Sequence, residues 1–311
     1  MNASRRLLAA TIAVLAAASF FASAPASAQL GPRGVTSEAP PAATLDSRRF
    51  FMPLDLRGRS QPTGIFVETG LVLRDIYHRD GSTLFEGTYQ EIGWDLGVSP
   101  ALLETGIHGE WMPVRVFKLR AEYHALMYYG TLGYMLSWDD ADAAYGDEEA
   151  DAREGEEEFG LGHRFSVQPT FQAKVGPIII RNTTAFYTHF LGSFDGPYMR
   201  ERLFDQLQAE HDGMVANTTV LAAEVWDGPG EAMAIVGPMY ETVSTLTSGT
   251  GRQRVGGVAV VIPADRIGTL HRPRVYIQSG VNLRDQNRDG AFFIQGGFGI
   301  DIWFSDSLEN D

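Results

Sequence analysis

Apolar and polar positions alternate along most of the chain after Thr63. Between 165 and 175, Phe165, Val167, Pro169, Phe171, Ala173 and Val175 fall on one side, and Ser166, Gln168, Thr170, Gln172 and Lys174 on the other. A period of two sends successive side chains to opposite faces of a strand, so this segment predicts a strand with one apolar and one polar face. In 89–98, Ile92, Trp94, Leu96 and Val98 oppose Glu91 and Asp95, and in 274–284 Val275, Ile277, Val281 and Leu283 alternate with Arg274, Gln278, Asn282 and Arg284. Segments 177–191, 213–226, 231–244 and 252–263 have strand composition but alternate less cleanly. Gly and Pro punctuate the series, as in Val-Gly-Pro at 175 and Asp-Gly-Pro-Gly-Glu at 227.

Ten strands are predicted, at 63–77, 87–112, 114–138, 160–175, 177–191, 213–226, 231–244, 252–263, 273–284 and 291–304. The second and third are long; if Pro100 and Tyr128-Tyr129-Gly130 mark turns, the count becomes twelve. Only 198–212 has a helical pattern, with Leu203, Phe204 and Leu207 as one narrow stripe, which predicts a short helix in a loop. Residues 29–62, rich in Pro, Ala, Ser and Arg, read as a poorly ordered tail ahead of a single domain. Residues 1–28 read as a secretory leader: Arg5 and Arg6, then an apolar stretch, then Ala26-Ser27-Ala28 before Gln29.

Alternation alone suits a soluble sandwich or binding barrel as well as a membrane barrel. The last strand separates them. Phe292, Ile294, Phe298, Ile300, Ile302 and Phe304 share one face, and Gln295, Gly297, Gly299 and Asp301 the other. This strand resembles the carboxy-terminal strand of bacterial outer-membrane β-barrel proteins, whose assembly signal is a polar residue, a Gly two later, and spaced hydrophobics ending in an aromatic. Gln295, Gly297, Ile300, Ile302 and Phe304 occupy those positions. Members of that family commonly stop at the aromatic, whereas here a short acidic tail, 305–311, follows.

The resemblance implies an all-β, antiparallel, up-and-down transmembrane barrel over 63–304. It also implies export to the outer membrane, contact with its lipid and lipopolysaccharide, and handling by the barrel assembly machinery. In such a barrel the outer face is apolar, the lumen tolerates polar groups and aromatics gather at the two interfaces. Tyr77, Tyr89, Trp111, Tyr128, Tyr129, Trp138 and Trp303 lie near predicted strand ends. Short turns face the periplasm and longer loops the outside. That rule puts 78–87, 139–159, 192–212, 245–251 and 285–290 outside and the turns near 113–117, 176, 227–230 and 263–272 inside.

Charge sharpens one element. The formal net charge is −14, and the two leader arginines mask a more acidic remainder. Eleven acids and one arginine fall between Asp139 and Glu158, so most of the acidity is local. Such a run repels nucleic acid and predicts a hydrated, self-repelling outer loop. The chain has no cysteine, which removes any disulfide framework.

The most suggestive chemistry flanks the turn at 113–117. Glu104, His108 and Glu110 share the polar face of one strand, and Lys118, Arg120, Glu122 and His124 that of the next. A hairpin centred on Val116 would set Glu110 opposite Glu122 and His108 opposite His124. That grouping fits a divalent metal site, shared protons, or a lumen charge ladder in which Lys118 and Arg120 neutralise the acids. Asp285, Asn287 and Asp289 open like a calcium loop, but its twelfth position is Gly296, so a tight hairpin tip is the plainer reading. Leu73–Gly81 resembles Leu283–Gly290, and in a closed barrel the two hairpins would be neighbours.

Asp147, Glu148 and Glu149 in the acidic run are candidate sites for a divalent cation; no other cofactor is indicated. No His-x-Ser or Ser-x-His occurs, leaving His189 and Ser193 as remnants of a hydrolase reading. The leading function is a narrow channel or structural, surface-interacting barrel. A lipid- or lipopolysaccharide-modifying enzyme and a soluble periplasmic binding barrel are the alternatives. Deleting 140–157 is expected to leave the barrel assembled, checked by its unboiled gel mobility, and to alter only calcium dependence or surface binding.

Overall fold

A computed structural model describes residues 44–61, 63–78, 84–85, 87–131, 135–192, 194–201, 204–228 and 232–306. The leader at 1–28, residues 29–43 of the tail, and residues 307–311 lie outside them. In chain order the elements are β1 (Thr44–Ser60), β2 (Thr63–His78), β3 (Thr88–Val98), β4 (Leu102–Val114), β5 (Phe117–Tyr128) and β6 (Ser137–Trp138). Then come helix α1 (Asp147–Ala152), β7 (Gly160–Val175), β8 (Ile178–Gly192), β9 (Tyr198–Glu201), β10 (Gln206–Ala209) and β11 (His211–Asp227). The chain finishes with β12 (Met233–Thr245), β13 (Gly251–Ile262), β14 (Arg266–Ile267), β15 (Leu270–Asp285) and β16 (Phe292–Asp306).

Twelve of these strands form one closed antiparallel sheet. Each pairs with its barrel neighbours, and β1 closes the ring against β16 through Leu54↔Ile300 and Leu56↔Phe298. β14 only extends one edge of β15, while β6, β9 and β10 form a separate three-stranded sheet. Closure pairs the backbone groups that an open sheet would leave at its edges.

The ten-strand count is corrected to twelve, and one of the two added strands is β1. Residues 44–60 had been assigned to the poorly ordered tail, yet they carry the period: Asp55 is buried inside while Leu54 and Leu56 flank it on the other face. Pro53 is accommodated, with the register to β2 unchanged on either side of it, Phe51↔Val72 and Leu54↔Thr69. The other added strand comes from the split at Pro100. Ser99 Oγ accepts the backbone N–H groups of Ala101 (3.2 Å) and Leu102 (3.0 Å), a turn that suits Ser in first and Pro in second place. Strand β5 does end at Tyr128, but the chain beyond it leaves the barrel instead of returning as a further strand.

This topology reverses part of the predicted sidedness. Both ends of the described chain, the β2–β3 connection and the short β4–β5 and β7–β8 turns lie at one end of the barrel, here called the terminal end. Arg115 N–H donates to Leu84 O there at 3.0 Å. The β5–β7 and β8–β11 connections and the 286–291 tip lie at the other, the loop end. Loop 78–87 is therefore on the opposite side from the acidic run, because the split at Pro100 adds one crossing. For the same reason Leu73–His78 and Leu283–Gly290 sit at opposite ends and are not neighbours.

The two faces differ sharply. All twelve barrel strands carry at least one exposed large apolar or aromatic residue, among them Phe50, Leu71, Ile92, Ile107, Tyr123, Phe165, Phe186, Leu221, Val236, Val255, Val281 and Phe292. In β7, Phe165 and Phe171 are 48% and 58% exposed, whereas Ser166 and Thr170 are 1% and 2% exposed. Inside, the ring is divided. Strands β1–β5, β7, β15 and β16 turn charged groups inward around a cavity of about 380 Å³. Strands β8, β12 and β13 add Arg181, Glu241, Arg252 and Arg254 to that lining, but toward the terminal end β8, β11, β12 and β13 pack Ile179, Val220, Ala222, Ile235, Met239, Val258, Val260 and Ile262 against one another, with Tyr276 of β15. Over that stretch both faces of these strands are apolar, which is why their alternation was blurred.

If the outer face meets lipid, Ile107→Arg at the middle of β4 is expected to cost about 2–4 kcal/mol of folding stability, and Phe304→Arg near a strand end only about 0–1 from the added charge. Urea titrations of protein folded into lipid vesicles check the contrast; equal costs at both depths would argue against an embedded belt.

Candidate functional site

The lumen cavity gathers all seven side chains predicted to form the polar cluster: Glu104, His108, Glu110, Lys118, Arg120, Glu122 and His124. Their pairing differs from that predicted. The register is Glu110↔Arg120 and His108↔Glu122, with Gly106 opposite His124, and it shifts between Trp111 and Val114. The hairpin thus closes about a point one residue earlier than Val116, and Glu110 and Glu122 each gain a basic neighbour instead of facing one another. Opposite charges directly across a strand pair stabilise it and like charges do not.

The result is a dense set of ion pairs, the largest group joining β2, β3, β4 and β5. Lys118 Nζ is 3.0 Å from Glu110 Oε2, and Tyr89 OH also donates to Glu110. Arg120 pairs with Glu122 and lies 3.6 Å from Asp95 and 3.8 Å from Glu91. His108 Nδ1 contacts Asp95 Oδ2 at 2.6 Å, and its Nε2 is 3.5 Å from Glu91. Arg164 donates to Glu104 at 3.1 Å, Arg74 pairs with Glu91 at 2.6 Å, and Arg274 bridges Asp55 (3.4 Å) and Asp301 (3.2 Å). Two glycines admit the imidazoles. A Cβ on Gly93 would stand 2.3 Å from the His108 ring, and one on Gly106 would stand 2.5 Å from that of His124.

Asp95, Arg164, Arg74, Asp55 and Arg274 were missing from the predicted cluster. Asp95 and Arg274 had been assigned to polar faces, and Arg164 shares the parity of Ser166. What the pattern did not reveal was which strands meet around the ring.

The loop end is covered by a folded lid. Strands β9 and β10 form a hairpin, paired at Met199↔Gln208, and β6 adds to it at Ser137↔Met199. Residues 198–212 therefore do not form the predicted helix; the short helix lies instead in the acidic run, where Asp147, Glu148 and Glu149 occupy the first turn of α1. Acidic side chains there are favoured by the helix dipole. Met135 and Met199 pack on the barrel rim against Leu102, Leu126, Tyr128 and Leu191. Leu136, Trp138, Tyr145, Ala150 and Leu207 form a second cluster within the lid. Phe204 packs edge-on to Tyr187 with ring centroids 5.1 Å apart and roofs the cavity. Arg252 Nη1 ties the Phe204 carbonyl to β13 at 2.6 Å.

The acidic run is thus not a free hydrated loop. It lacks the apolar content to fold alone, but Tyr145, Asp147 and Ala150 anchor it to other loops. Asp147 accepts from Arg288 at 2.8 Å and from Arg200 at 3.0 Å; Arg200 also holds Asp205 at 2.8 Å, and Arg288 contacts the same carboxylate. This quartet fastens three connections together. Tyr145 N–H donates to Asn287 Oδ1 at 3.1 Å, and Gln286 Nε2 donates to the carbonyls of Ala141 and Ala143.

No family model matches the chain, and no curated protein matches it either. Among solved structures it is similar to the β domain of the Bordetella autotransporter Brka, at 10% identity and a TM-score of 0.44, over 83% of this chain and 100% of that one. It is similar to LpxR from Salmonella typhimurium, at 11% identity and a TM-score of 0.35, over 82% and 100%. It is also similar to the translocator domain of autotransporter NalP from Neisseria meningitidis, at 9% identity and a TM-score of 0.37, over 83% and 88%. The fold rests on the strand pairing described above, not on these likenesses.

The predicted cation loops are occupied by protein donors. Asp285 Oδ1 accepts the backbone N–H groups of Asn287 and Arg288, each at 3.0 Å, so the 285–290 segment is a hairpin tip. Asp147 is neutralised by guanidinium groups, while Glu148 and Asp289 are exposed. Among the described residues no group of three or more His, Asp or Glu is arranged to hold a metal ion. His189 is fully buried and faces inward, away from any lipid, and Ser193 lies outside the described residues. Of the predicted interface aromatics, Trp111 and Tyr129 are exposed, but Tyr89 and Tyr128 are inside the barrel and Trp138 is in the lid.

The partial burial of Asp147 would by itself raise its carboxyl pKa, but Arg288 and Arg200 outweigh that and hold it below the ordinary carboxylate range. A depressed folded value means the latch is fully present above the ordinary carboxylate pKa and is lost as pH falls through the depressed one. Limited proteolysis within 139–159 is therefore expected to stay slow at neutral and mildly acid pH. It should speed several-fold in Asp147→Asn or Arg288→Gln and remain slow in Glu154→Gln. The expectation for deleting 140–157 changes accordingly: the barrel still assembles, but the cavity loses part of its roof.

Proposed function

We propose that this chain spans a bacterial outer membrane and works as a narrow channel closed at its loop end by a hinged lid. The observation that carries this reading is the inversion of the ordinary globular arrangement: a belt of exposed apolar residues on all twelve strands surrounds an interior lined by charged side chains. Monomers in water rarely expose so continuous an apolar surface, so the soluble binding-barrel alternative is disfavoured. Export by the leader, and recognition of Gln295, Gly297, Ile300, Ile302 and Phe304 by assembly machinery, belong to the same reading. So does the orientation, with the terminal end in the periplasm and the lid among lipopolysaccharide headgroups.

A channel accounts for two features that a purely structural barrel leaves idle. One is a cavity within a charged wall, and the other is a roof built from loop segments and fastened by ion pairs, a hydrogen bond and side-chain packing. Charged rings of this kind set ion preference. The enzyme alternative has less support, since His189, the base the sequence offered for acyl hydrolysis, faces inward, away from the apolar outer surface.

Fractionation and planar-bilayer recordings test the reading. The protein is expected to pellet with envelope and to shift mobility on boiling. Wild type should be mostly closed, Arg288→Gln should raise the open fraction several-fold, and Glu110→Gln or Arg120→Gln in the Arg288→Gln background should change cation-to-anion selectivity. A carbonate-soluble periplasmic protein, or silence in the bilayer from both wild type and Arg288→Gln, would sink the channel.

A further inference from the structure

The charges lining the cavity are nearly balanced in number but unevenly placed. Strands β3 and β4 contribute Glu91, Asp95, Glu104 and Glu110, and no lysine or arginine occurs in either strand. Their compensating bases reach in from β2, β5 and β7. Five to six strands away by the shorter route around the ring, β12 and β13 face them with Arg252 and Arg254 sharing one carboxylate, Glu241, at 2.7 Å and 3.9 Å. Strand β13 contains no acidic residue at all. One wall of the cavity is thus carboxylate-rich and the wall across from it guanidinium-rich.

The arginine wall also has spare donor capacity. Arg252 is 4% exposed and lines the cavity, yet its Nε–H has no hydrogen-bond partner. On the opposite side Glu104 is engaged by Arg164 through one oxygen, Oε2. The cavity of about 380 Å³ falls in the range, about 300–1,000 Å³, of sites that enclose a small molecule. A field running across the lumen, in a space partly shielded from bulk water, orients a dipole and attracts neither sign of net charge preferentially.

From this placement we infer that the cavity selects small dipolar solutes carrying a carboxylate and an ammonium, of the amino-acid or dipeptide class. The carboxylate faces Arg252 and Arg254, and the ammonium faces Asp95 and Glu104. This rests on the channel reading and adds the solute class to it. A neutral molecule of the same size lacks both contacts. A simple anion or cation finds one favourable wall and one repulsive one.

Swelling of proteoliposomes in glycylglycine and in xylitol tests the inference, with wild type and Arg288→Gln run side by side. Glycylglycine is expected to enter several-fold faster than xylitol, and the ratio should fall toward unity in Arg252→Gln and in Glu104→Gln but persist in Arg252→Lys. The comparison of the two solutes in the unmutated lumen stands even if a lumen variant fails to assemble. Equal rates for the two solutes would overturn the solute class and leave the channel standing. Entry of neither solute, in either form, would overturn the channel reading and this inference with it.

Discussion

Closure of β1 onto β16 is the constraint on which everything else depends. Once the ring closes, each strand has an inside and an outside and no third option, and the period of two assigns every residue to one of them. An interior this narrow cannot hold an isolated charge, because burying one unpaired costs far more than burying it with a partner. The inward carboxylates of β2–β5 therefore appear with Arg57, Arg74, Lys118, Arg120 and Arg164 within reach. The one-residue difference in the centre of the β4–β5 hairpin shows how this requirement acts, since it replaces a carboxylate pair with a carboxylate facing a guanidinium.

The same requirement explains why the interior is divided. Strands β8 and β11–β13 supply inward isoleucine, valine and methionine, which pack without needing partners and fill space that charged side chains would leave hydrated. The division confines the open volume to the charged side, beneath Phe204. Cavity and packing thus share one lumen, the packing filling its β8–β13 side toward the terminal end. A lid over the loop end then has to meet both, and it does so with Met135 and Met199 on the rim and Phe204 over Tyr187.

Much of this was legible in the sequence where the two faces differ in polarity. Strands β3, β7 and β15 were readable because their outward residues are apolar and their inward ones polar. Strands β11–β13 were blurred because both faces are apolar over the part that packs at the terminal end, and β1 was overlooked because Pro53 and four arginines in a short space look like a tail. The seven-residue lumen cluster followed from parity alone, but its pairing depended on a register shift that parity does not encode. The lid was the least legible part. Its β9–β10 hairpin carries Arg200, Glu201, Gln206 and Gln208, polar residues that a local reading assigns to solvent, yet all four are buried, with Arg200 reaching Asp147 and Glu201 accepting from Tyr128, both distant in sequence. The acidic run was misread for the same reason, since Arg200 and Arg288 lie far from Asp147 along the chain.

The acidic run also has a free side. Tyr145, Asp147 and Ala150 hold it down, whereas Glu154, Gly155 and Glu156 face solvent, and a side chain built on Gly155 would meet nothing within 4 Å, although its backbone, at φ +94°, favours glycine. Sequence there is unconstrained by the lid below it, so drift would change the molecule's outward appearance without touching its mechanics. The same freedom makes the stretch around Gly155 a natural graft point for a foreign peptide at the loop end of the barrel.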